Sequence, residues 1–459
     1  MEGYMIFKTR VFLLSLILLF LNHSPGQAAD FPGKNWQQYA VAEEAGFSAK
    51  KLKLAKQDFE QSEAAGVLVI HNGRVLVSWG ETTRRFRCAS IRKSFMSALY
   101  GVYVGKEKIN LNATLADLKI DDVQTLTAQE KQAKVIDLLT ARSGIYHPAA
   151  HSTRGMEKNL PQRGSHKPGT FWYYNNWDFN TLATIFEQET EKGVFDAFKE
   201  DVADQIQMED FALRFTHYRL EDKSKHPAYL FRMTARDMAR FGLLFLNKGR
   251  WNGKQIIPEK WVVESTKPFS TELGRFSERG SYGYLWWVSE LKGQRMYFAS
   301  GSGGQRICVL PDANLVFVHV VNSYDNNNVR HGNIMNLLSL ILEAKEGAPK
   351  AKPSLVDHKP PLRRQPKSVK VKSEILNKYL GSYRHRFLGK LEIGAGEKSL
   401  IMTTSIGKFE LFPLDENKFF PEDIETPVHF QISEEESQRN TAVSILNENR
   451  KVKRVVFYY

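Results

Sequence analysis

A serine followed three residues later by a lysine can combine a nucleophile with its own base, and this spacing is the strongest chemical signal in the sequence. It occurs in several places, among them Ser48–Lys51, Ser90–Lys93 and Ser405–Lys408. Only Ser90 precedes an apolar stretch with helical spacing, which predicts a helix over 91–104. On a helix, residues i and i+3 lie on one face, so the Lys93 amine can reach the Ser90 hydroxyl.

This pair predicts acyl transfer to a serine. A serine hydroxyl needs a neighbouring base to attack a carbonyl at neutral pH. Lysine can be that base only when burial or a nearby positive charge lowers its pKa. The backbone N–H of Ser90, at the start of a helix, can also help to stabilise an oxyanion. For the motif alone, the alternative is an ordinary N-cap serine with a surface lysine in the first turn.

A segment rich in tyrosine and asparagine, 168–176 (PGTFWYYNN), contains the overlapping pairs Tyr173–Asn175 and Tyr174–Asn176. A tyrosine beside a lysine can share its proton and relay it to a leaving group. The amide of an asparagine can hold both the lysine and a substrate amide. In isolation, the same segment is also typical of an aromatic turn that packs in the core.

A glycine-rich segment, 299–305 (ASGSGGQ), leads into a predicted strand over 306–310. Glycines let a substrate approach the backbone closely, and the exposed edge of a strand can supply a second N–H for an oxyanion. The alternative is a glycine-rich loop without a chemical role.

Absent motifs and composition argue against several other classes of function. The sequence has no His-Glu-x-x-His or related zinc motif, no P-loop, no Rossmann glycine fingerprint and no Gly-x-Ser-x-Gly elbow. Its two cysteines, Cys88 and Cys308, exclude a disulfide-dense scaffold and a Cys-rich zinc site, and they allow one bridge. The net charge of +13 is interpreted as that of a basic soluble protein rather than of a nucleic-acid-binding one.

The N-terminal segment, residues 1–29, is predicted to be a secretory signal. Lys8 and Arg10 precede an apolar run over 11–21, and a polar stretch ending in Gly-Gln-Ala-Ala follows. The run is shorter than the roughly 20 residues that a membrane span needs. We therefore expect export to the periplasm or the extracellular space, with an uncleaved anchor as the alternative.

The remaining chain divides into three predicted parts. Residues 30–345 combine a hairpin at Asn72-Gly73 with helices and strands, a pattern typical of an α+β or α/β domain. Residues 346–372 are rich in lysine, arginine and proline and predict a solvated linker, with contact to an anionic surface as the alternative. Residues 373–459 contain short alternating segments and predict a small all-β domain. Helices are predicted over 91–104, 134–142, 178–190, 233–248 and 333–345.

These motifs together resemble those of the β-lactamase-related serine hydrolases, a superfamily that includes class C β-lactamases, penicillin-binding proteins, D-Ala-D-Ala carboxypeptidases, esterases and amidohydrolases. The resemblance covers about 60–345. Four segments carry it: ASIRKSF (89–95), VIDLLTARSGI (135–145), PGTFWYYNN (168–176) and MTARDMARFGLLFLNKGRWNGKQIIPEKWV (233–262). In the C-terminal part, ILNKYLGSY, LFPLDENKFF and VHF resemble a small lipocalin-like β-barrel that many members of this family carry.

The resemblance implies an α/β sandwich, in which an antiparallel sheet is flanked by helices beside an all-helical part, followed by a small C-terminal all-β barrel. It also assigns the site. The matching residues are the catalytic Ser90, Lys93 and Tyr174 and the substrate-binding Asn176, Ser302, Gly303, Gly304 and Gln305. In this assignment the Gln305 N–H joins the Ser90 N–H in the oxyanion hole.

The expected function is hydrolysis of an ester or amide, a small molecule or a peptide, through an acyl-enzyme on Ser90. No metal or organic cofactor is implied. Ser302 stands where the family has a lysine or histidine, which favours substrates without a free carboxylate unless Arg306 supplies the charge. The alternatives are a peptidoglycan or D-amino-acid peptidase or β-lactamase-type activity, and a catalytically weak binding protein that resembles a penicillin-binding protein.

Overall fold

The computed structural model of the protein describes most of the chain after the N-terminal segment. The described residues are 31–323, 327–360, 368–385, 389–404, 407–421, 428–432, 443–446 and 452–457. The predicted secretory signal, 1–29, lies outside them, as does Ser405. None of the helices formed by the described residues combines the length and the hydropathy that crossing a membrane requires.

Helices and strands are mixed over the first part of the chain, and strands predominate after it. The strands are β1 (Gln37–Tyr39), β2 (Ala64–His71), β3 (Arg74–Gly80), β4 (Phe86–Arg87), β5 (Thr216–Glu221), β6 (Ser224–Met233), β7 (Arg250–Trp251), β8 (Lys254–Gln255), β9 (Ser281–Tyr282), β10 (Trp287–Leu291), β11 (Gln294–Gly301), β12 (Gln305–Leu310), β13 (Leu315–Val321), β14 (Leu355–Asp357), β15 (Gly381–His385), β16 (Gly389–Ala395), β17 (Leu400–Thr404), β18 (Gly407–Pro413), β19 (Lys418–Pro421), β20 (Val428–Ile432), β21 (Val443–Leu446) and β22 (Val452–Phe457). The α-helices are α1 (Ala49–Glu60), α2 (Arg92–Gly105), α3 (Val135–Leu139), α4 (Arg154–Lys158), α5 (Asn176–Thr190), α6 (Val194–Phe198), α7 (Ala235–Leu246), α8 (Glu259–Ser265), α9 (His331–Glu343) and α10 (Ser373–Leu376).

A nine-stranded sheet lies at the centre of the first part, in the order β14-β1-β3-β2-β13-β12-β11-β10-β9. Its ladders are antiparallel except between β1 and β3, where Gln38 pairs with Val75 in parallel. The sheet is therefore mixed and not purely antiparallel, because β1 runs in the same direction as the second strand of the hairpin that it joins. That hairpin, β2–β3, is the predicted one: Asn72 and Gly73 have φ values of 51° and 76°, as a type I′ turn requires.

Helices cover both faces of this sheet. On one face, α7 packs so closely on β13 that a Cβ added to Gly242 would lie 2.5 Å from Cγ1 of Val316. Successive strand residues point to opposite faces, and on the other face His331 of α9 stacks on Phe298 of β11 with ring centroids 5.7 Å apart. Helix α9 in turn packs on α1. These two layers bury both faces of β11, β12 and β13.

Helix α2 runs through the centre of a mainly helical part beside the sheet, and its residues are buried from Arg92 to Tyr103. The Tyr100 hydroxyl donates a hydrogen bond to the Leu182 carbonyl of α5 at 2.8 Å. All five predicted helices are present, as α2, α3, α5, α7 and α9. Helix α3 is shorter than the predicted helix over 134–142, because Ala141, with φ of 56°, leaves the helical conformation.

Part of the predicted linker 346–372 lies on the main sheet. Asp357 of β14 pairs with Gln37 of β1, and the Lys350 amine donates to the Glu44 carboxylate at 2.8 Å. The edge strand of the sheet therefore comes from a segment whose composition predicted a solvated tether. Residues 361–367 lie outside the described chain.

The C-terminal strands form a separate antiparallel sheet, in the order β15-β16-β17-β18-β19-β20-β22-β21. Its core includes Leu391, Met402, Phe409 and Leu411. This agrees with the predicted small all-β domain, whereas closure into a lipocalin-like barrel stays a prediction. In the first part of the chain, Cys88 and Cys308 are both buried as free thiols, so the bridge that the sequence allows is not formed.

Candidate active site

Ser90 lies in a short 3-10 turn, Ala89–Ile91, immediately before α2. The turn is fixed on two sides. The Cys88 N–H donates to the Phe231 carbonyl of β6 at 3.0 Å, and Gly301, the last residue of β11, lies against the Cys88 carbonyl oxygen. Ala89 has φ of 46°, in the left-handed backbone region that residues other than glycine rarely adopt. The serine therefore sits on a tight turn between the end of the sheet and the start of a buried helix.

The Lys93 amine lies 2.7 Å from the Ser90 hydroxyl oxygen, within hydrogen-bond distance. Lys93 is 2% exposed. Burial holds the pKa of its amine well below the usual range, and the nearby charge of Arg92 lowers that pKa further. A neutral amine at this position can accept the serine proton. The predicted pair Ser90–Lys93 is thus brought together, whereas Ser48 is the N-cap of α1 and Lys51 pairs with Glu346 on the surface.

Tyr174 completes this cluster. The Lys93 amine lies 4.8 Å from the centroid of its ring, and Tyr174 lines the same cavity as Ser90. Burial raises the pKa of Tyr174, while the interaction with the Ser90 hydroxyl and the charge of Arg92 oppose that rise. Trp287 stacks on the ring at 5.5 Å. The neighbouring Tyr173 points elsewhere, because its hydroxyl donates to the carbonyl of Met156 at 3.0 Å.

Asn176 is the first residue of α5 and faces the same cavity as Ser90. Its amide nitrogen donates to the His151 carbonyl at 2.6 Å. Its amide oxygen is buried, and no described group hydrogen-bonds it. The preceding Asn175 caps the helix by accepting from the N–H of Asp178. Of the two asparagines, Asn176 is therefore the one whose side-chain oxygen has no hydrogen-bond partner among the described residues, and its substrate-binding role stays a prediction.

The glycine-rich segment forms the turn between β11 and β12. Ser302, Gly303 and Gly304 line the cavity, and the two glycines have φ values of 87° and 112°. Gln305 begins β12 behind them and is fully buried. Its side-chain amide makes two hydrogen bonds with the backbone of Val321, at 2.7 and 3.1 Å. The structure thus brings Ser302 to Gly304 into the site and places the Gln305 side chain in the sheet.

The cavity that contains these residues has a volume of about 1030 Å³, and its charge is strongly positive. Glu278 is the single acidic residue among its described lining residues. The arginines that line it are Arg87, Arg219, Arg232, Arg275, Arg279, Arg306 and Arg330. They come from several different parts of the chain, so no single sequence motif predicts them, and only Arg306 lies beside a motif that the sequence analysis considered.

Two of these arginines lie closest to the glycine-rich segment. Arg279 donates to the Ser300 hydroxyl at 3.0 Å, and its guanidinium lies 4.9 Å from the centroid of Trp287. Arg306 is buried and donates to the Gln305 carbonyl at 2.8 Å. Burial, together with the charge of Arg279, lowers the pKa of Arg306 to about 10. Neither guanidinium forms an ion pair with a carboxylate of the described residues.

The chain was compared with known proteins. The model of a family described as Beta-lactamase matches residues 53–340. An uncharacterised protein of Alkalihalophilus pseudofirmus is 24% identical over an alignment of 307 positions, with coverages of 57% of this chain and 84% of that protein.

Several solved structures are similar to this chain. A structure of SurE is 15% identical, covers 90% of this chain and 99% of its own, and has a TM-score of 0.50. An octameric penicillin-binding protein homologue from Pyrococcus abyssi is 16% identical, with coverages of 88% and 99% and a TM-score of 0.49. A D-stereospecific amidohydrolase from a Streptomyces species is 16% identical, with coverages of 60% and 94% and a TM-score of 0.46. Because the family match spans more than half of the sequence, the chain belongs to the β-lactamase family, and thus to the β-lactamase-related serine hydrolases.

Proposed function

We propose that this hydrolase is an exported enzyme that cleaves an ester or amide through an acyl-enzyme on Ser90. One observation carries the proposal: the Ser90 hydroxyl lies 2.7 Å from the amine of a buried lysine. A buried lysine that lacks its proton is a base, and a serine beside a base is a nucleophile. Export rests on the sequence of residues 1–29 alone.

The proposed reaction moves one proton at a time. The Ser90 oxygen attacks the carbonyl carbon while its proton passes to Lys93, directly or through the Tyr174 phenol. The tetrahedral intermediate collapses as the same pair returns a proton to the leaving oxygen or nitrogen. Water then attacks the acyl-Ser90 ester and gives a proton to Lys93 along the same path. That proton passes to the Ser90 oxygen as the ester bond breaks, which releases the acid and restores the serine hydroxyl.

The oxyanion needs two N–H donors, of which Ser90 supplies one. The family resemblance assigns the backbone N–H of Gln305 as the second donor. The geometry favours Ser302, because Gly301 contacts the turn of Ser90 and Ser302 is the next residue into the cavity. We therefore propose the Ser302 N–H as the second donor. Gln305 then has a supporting role through its hydrogen bonds with Val321.

A second candidate function is a peptidase or amidase for substrates with a free carboxylate. In the sequence, Ser302 stands where the family has a cationic residue, which favoured substrates without a carboxylate. In the structure, however, Arg279 and Arg306 place two positive charges beside the glycine-rich segment. Arginine pairs well with carboxylates. A pair of nitrophenyl esters that differ only in a carboxylate or its neutral amide distinguishes the two candidates. Faster turnover of the acidic ester supports the second, and equal turnover supports the first.

The test of the proposed function is labelling with a fluorophosphonate probe, followed by intact-mass spectrometry. We expect one adduct on the native protein, none on Ser90→Ala, and an unchanged adduct on Ser48→Ala, the serine of a second Ser-x-x-Lys pair. An adduct that persists in Ser90→Ala contradicts the assignment of the nucleophile. If no probe labels the native protein, the alternative of a catalytically weak binding protein is favoured. The basic segment 346–372 would then be the first place to seek an anionic partner.

A further inference from the structure

Arg92 is the residue directly before Lys93 in the Ser-x-x-Lys motif and is 1% exposed. Its guanidinium donates to the Asn180 amide oxygen at 2.9 Å and lies 4.3 Å from the centroid of the Tyr229 ring. One of its terminal nitrogens is buried and has no hydrogen-bond partner in the described structure. No ion pair with a described acidic residue compensates its charge. A buried charge without a counter-ion is costly, so a role other than stability is needed to explain it.

The charge of Arg92 acts on the groups that carry the chemistry. It disfavours protonation of Lys93 and of His151, and it favours ionisation of the Tyr174 phenol. A guanidinium keeps its proton under all ordinary conditions. Arg92 is therefore a fixed positive charge beside a lysine that must stay neutral to act as a base.

Other groups near Lys93 do not replace this charge. Ser90 and the ring of Phe179 are neutral, and burial raises the pKa of Tyr174. His151 is kept neutral by burial, which lowers its pKa to about 3. On α5, burial holds the pKa of Asp178 well above its usual range, and that carboxyl hydrogen-bonds Ser143.

Arg92 also connects to the wall of the cavity that holds Asn176. Asn180, which accepts from Arg92, donates to the Ala150 carbonyl at 3.0 Å. One helical turn earlier, Asn176 donates to the next carbonyl, that of His151, at 2.6 Å. The two asparagines thus hold adjacent residues of one segment against α5, and Arg92 holds the second asparagine.

We propose that Arg92 is a positioning residue, whose buried guanidinium holds, through Asn180, the segment that orients Asn176. Its positive charge, on the residue directly before Lys93, also favours a lysine amine without its proton. The proposal rests on the proposed function, since it gives Lys93 the part of a base. Arg92 itself touches no substrate in this scheme.

The experiment measures the rate of fluorophosphonate labelling of Ser90 as a function of pH, in the native protein, Arg92→Gln and Arg92→Lys. Gln can still donate to Asn180 but has no charge, so we expect the midpoint of the pH profile to move to higher pH. A shift of about one pH unit lowers the rate at neutral pH about tenfold. Arg92→Lys restores a positive charge and should restore most of the native midpoint.

A folded Arg92→Gln variant with the native midpoint would overturn the electrostatic part of the proposal. If Arg92→Gln does not fold, Arg92→Met removes the charge together with the hydrogen bond to Asn180, and Asn180→Ala, which removes only that hydrogen bond, separates the two effects. Asn180→Ala keeps the charge, so its labelling should slow without a shift of the midpoint; an unchanged rate would contradict the positioning part. A native protein that is not labelled at any pH would instead contradict the proposed function.

Discussion

Gly301 approaches the carbonyl oxygen of Cys88 so closely that a Cβ added to Gly301 would lie 2.4 Å from that oxygen. The same Cβ would lie 3.2 Å from the Cβ of Ala89. The end of β11 and the turn that carries Ser90 are therefore in direct backbone contact, and glycine is the residue type that permits it. The position of the serine is set by the sheet as well as by its own helix.

This contact predicts the effect of Gly301→Ala. The added methyl group must push the turn away from β11, and such overpacking costs about 1–3 kcal/mol of stability. We expect labelling of Ser90 to slow by at least about tenfold, because catalytic geometry tolerates little displacement. Thermal denaturation and probe labelling measure the two effects. Gly347→Ala is the matched control, since no atom lies within 4 Å of the added Cβ; equal behaviour of the two variants would show that the contact does not position Ser90.

The two adjacent tyrosines predict opposite outcomes for the same change. Tyr174→Phe removes the phenol hydroxyl that interacts with Ser90, so we expect hydrolysis to slow by about 10²–10⁴-fold, as for the loss of a general acid–base group. Tyr173→Phe removes only a hydrogen bond to the Met156 carbonyl, and the rate should stay close to that of the native enzyme. Steady-state hydrolysis of a nitrophenyl ester compares them. A slow Tyr173→Phe and a fast Tyr174→Phe would reverse the assignment.

The sequence predicted those parts of the site that depend on local spacing. Ser90 and Lys93 could be paired because a helix places residues i and i+3 on one face, and Tyr174 followed from the matched segment. Gly301 could not be recognised, because the residue at which β11 ends and the turn it meets depend on strand register across distant parts of the chain. Except for Arg306, the arginines of the cavity were not predicted, for the same reason. The burial of Arg92 cannot be seen in a motif that looks like the start of an amphipathic helix.

Replacement of Lys93 by methionine should abolish activity and stabilise the fold. The unfolded chain keeps the lysine proton up to about pH 10.4, whereas the native state releases it at a lower pH because burial lowers the pKa. Between these values the unfolded state binds more protons, so the native protein loses stability as the pH falls. Lys93→Met has no such penalty and packs a side chain of similar length in the same place.

We therefore expect Lys93→Met to have a higher Tm than the native protein at pH 7, and the difference to shrink as the pH rises towards 10. Labelling of Ser90 should fall by about 10²–10⁴-fold. Lys51→Met, from the exposed Ser-x-x-Lys pair, should change neither quantity appreciably, because exposed ion pairs contribute little. A lower Tm at pH 7 in Lys93→Met would mean that the lysine is charged in the folded protein, and thus not the base.

Arg279 predicts a dependence on the charge of the substrate. Its guanidinium contacts Ser300, next to the segment that we propose to hold the oxyanion, and no described carboxylate pairs with it. A hydrogen bond to a charged group is worth about 1.5–3 kcal/mol, so Arg279→Gln should raise KM for a carboxylate-bearing ester roughly ten- to a hundredfold. KM for the neutral amide of the same ester should hardly change.

Arg275→Gln is the control from the same short stretch of chain, because Arg275 is exposed and its charge is screened by solvent. If Arg279→Gln affects both esters equally, the arginine acts on the Tyr174 phenol or the oxyanion instead of on a substrate carboxylate.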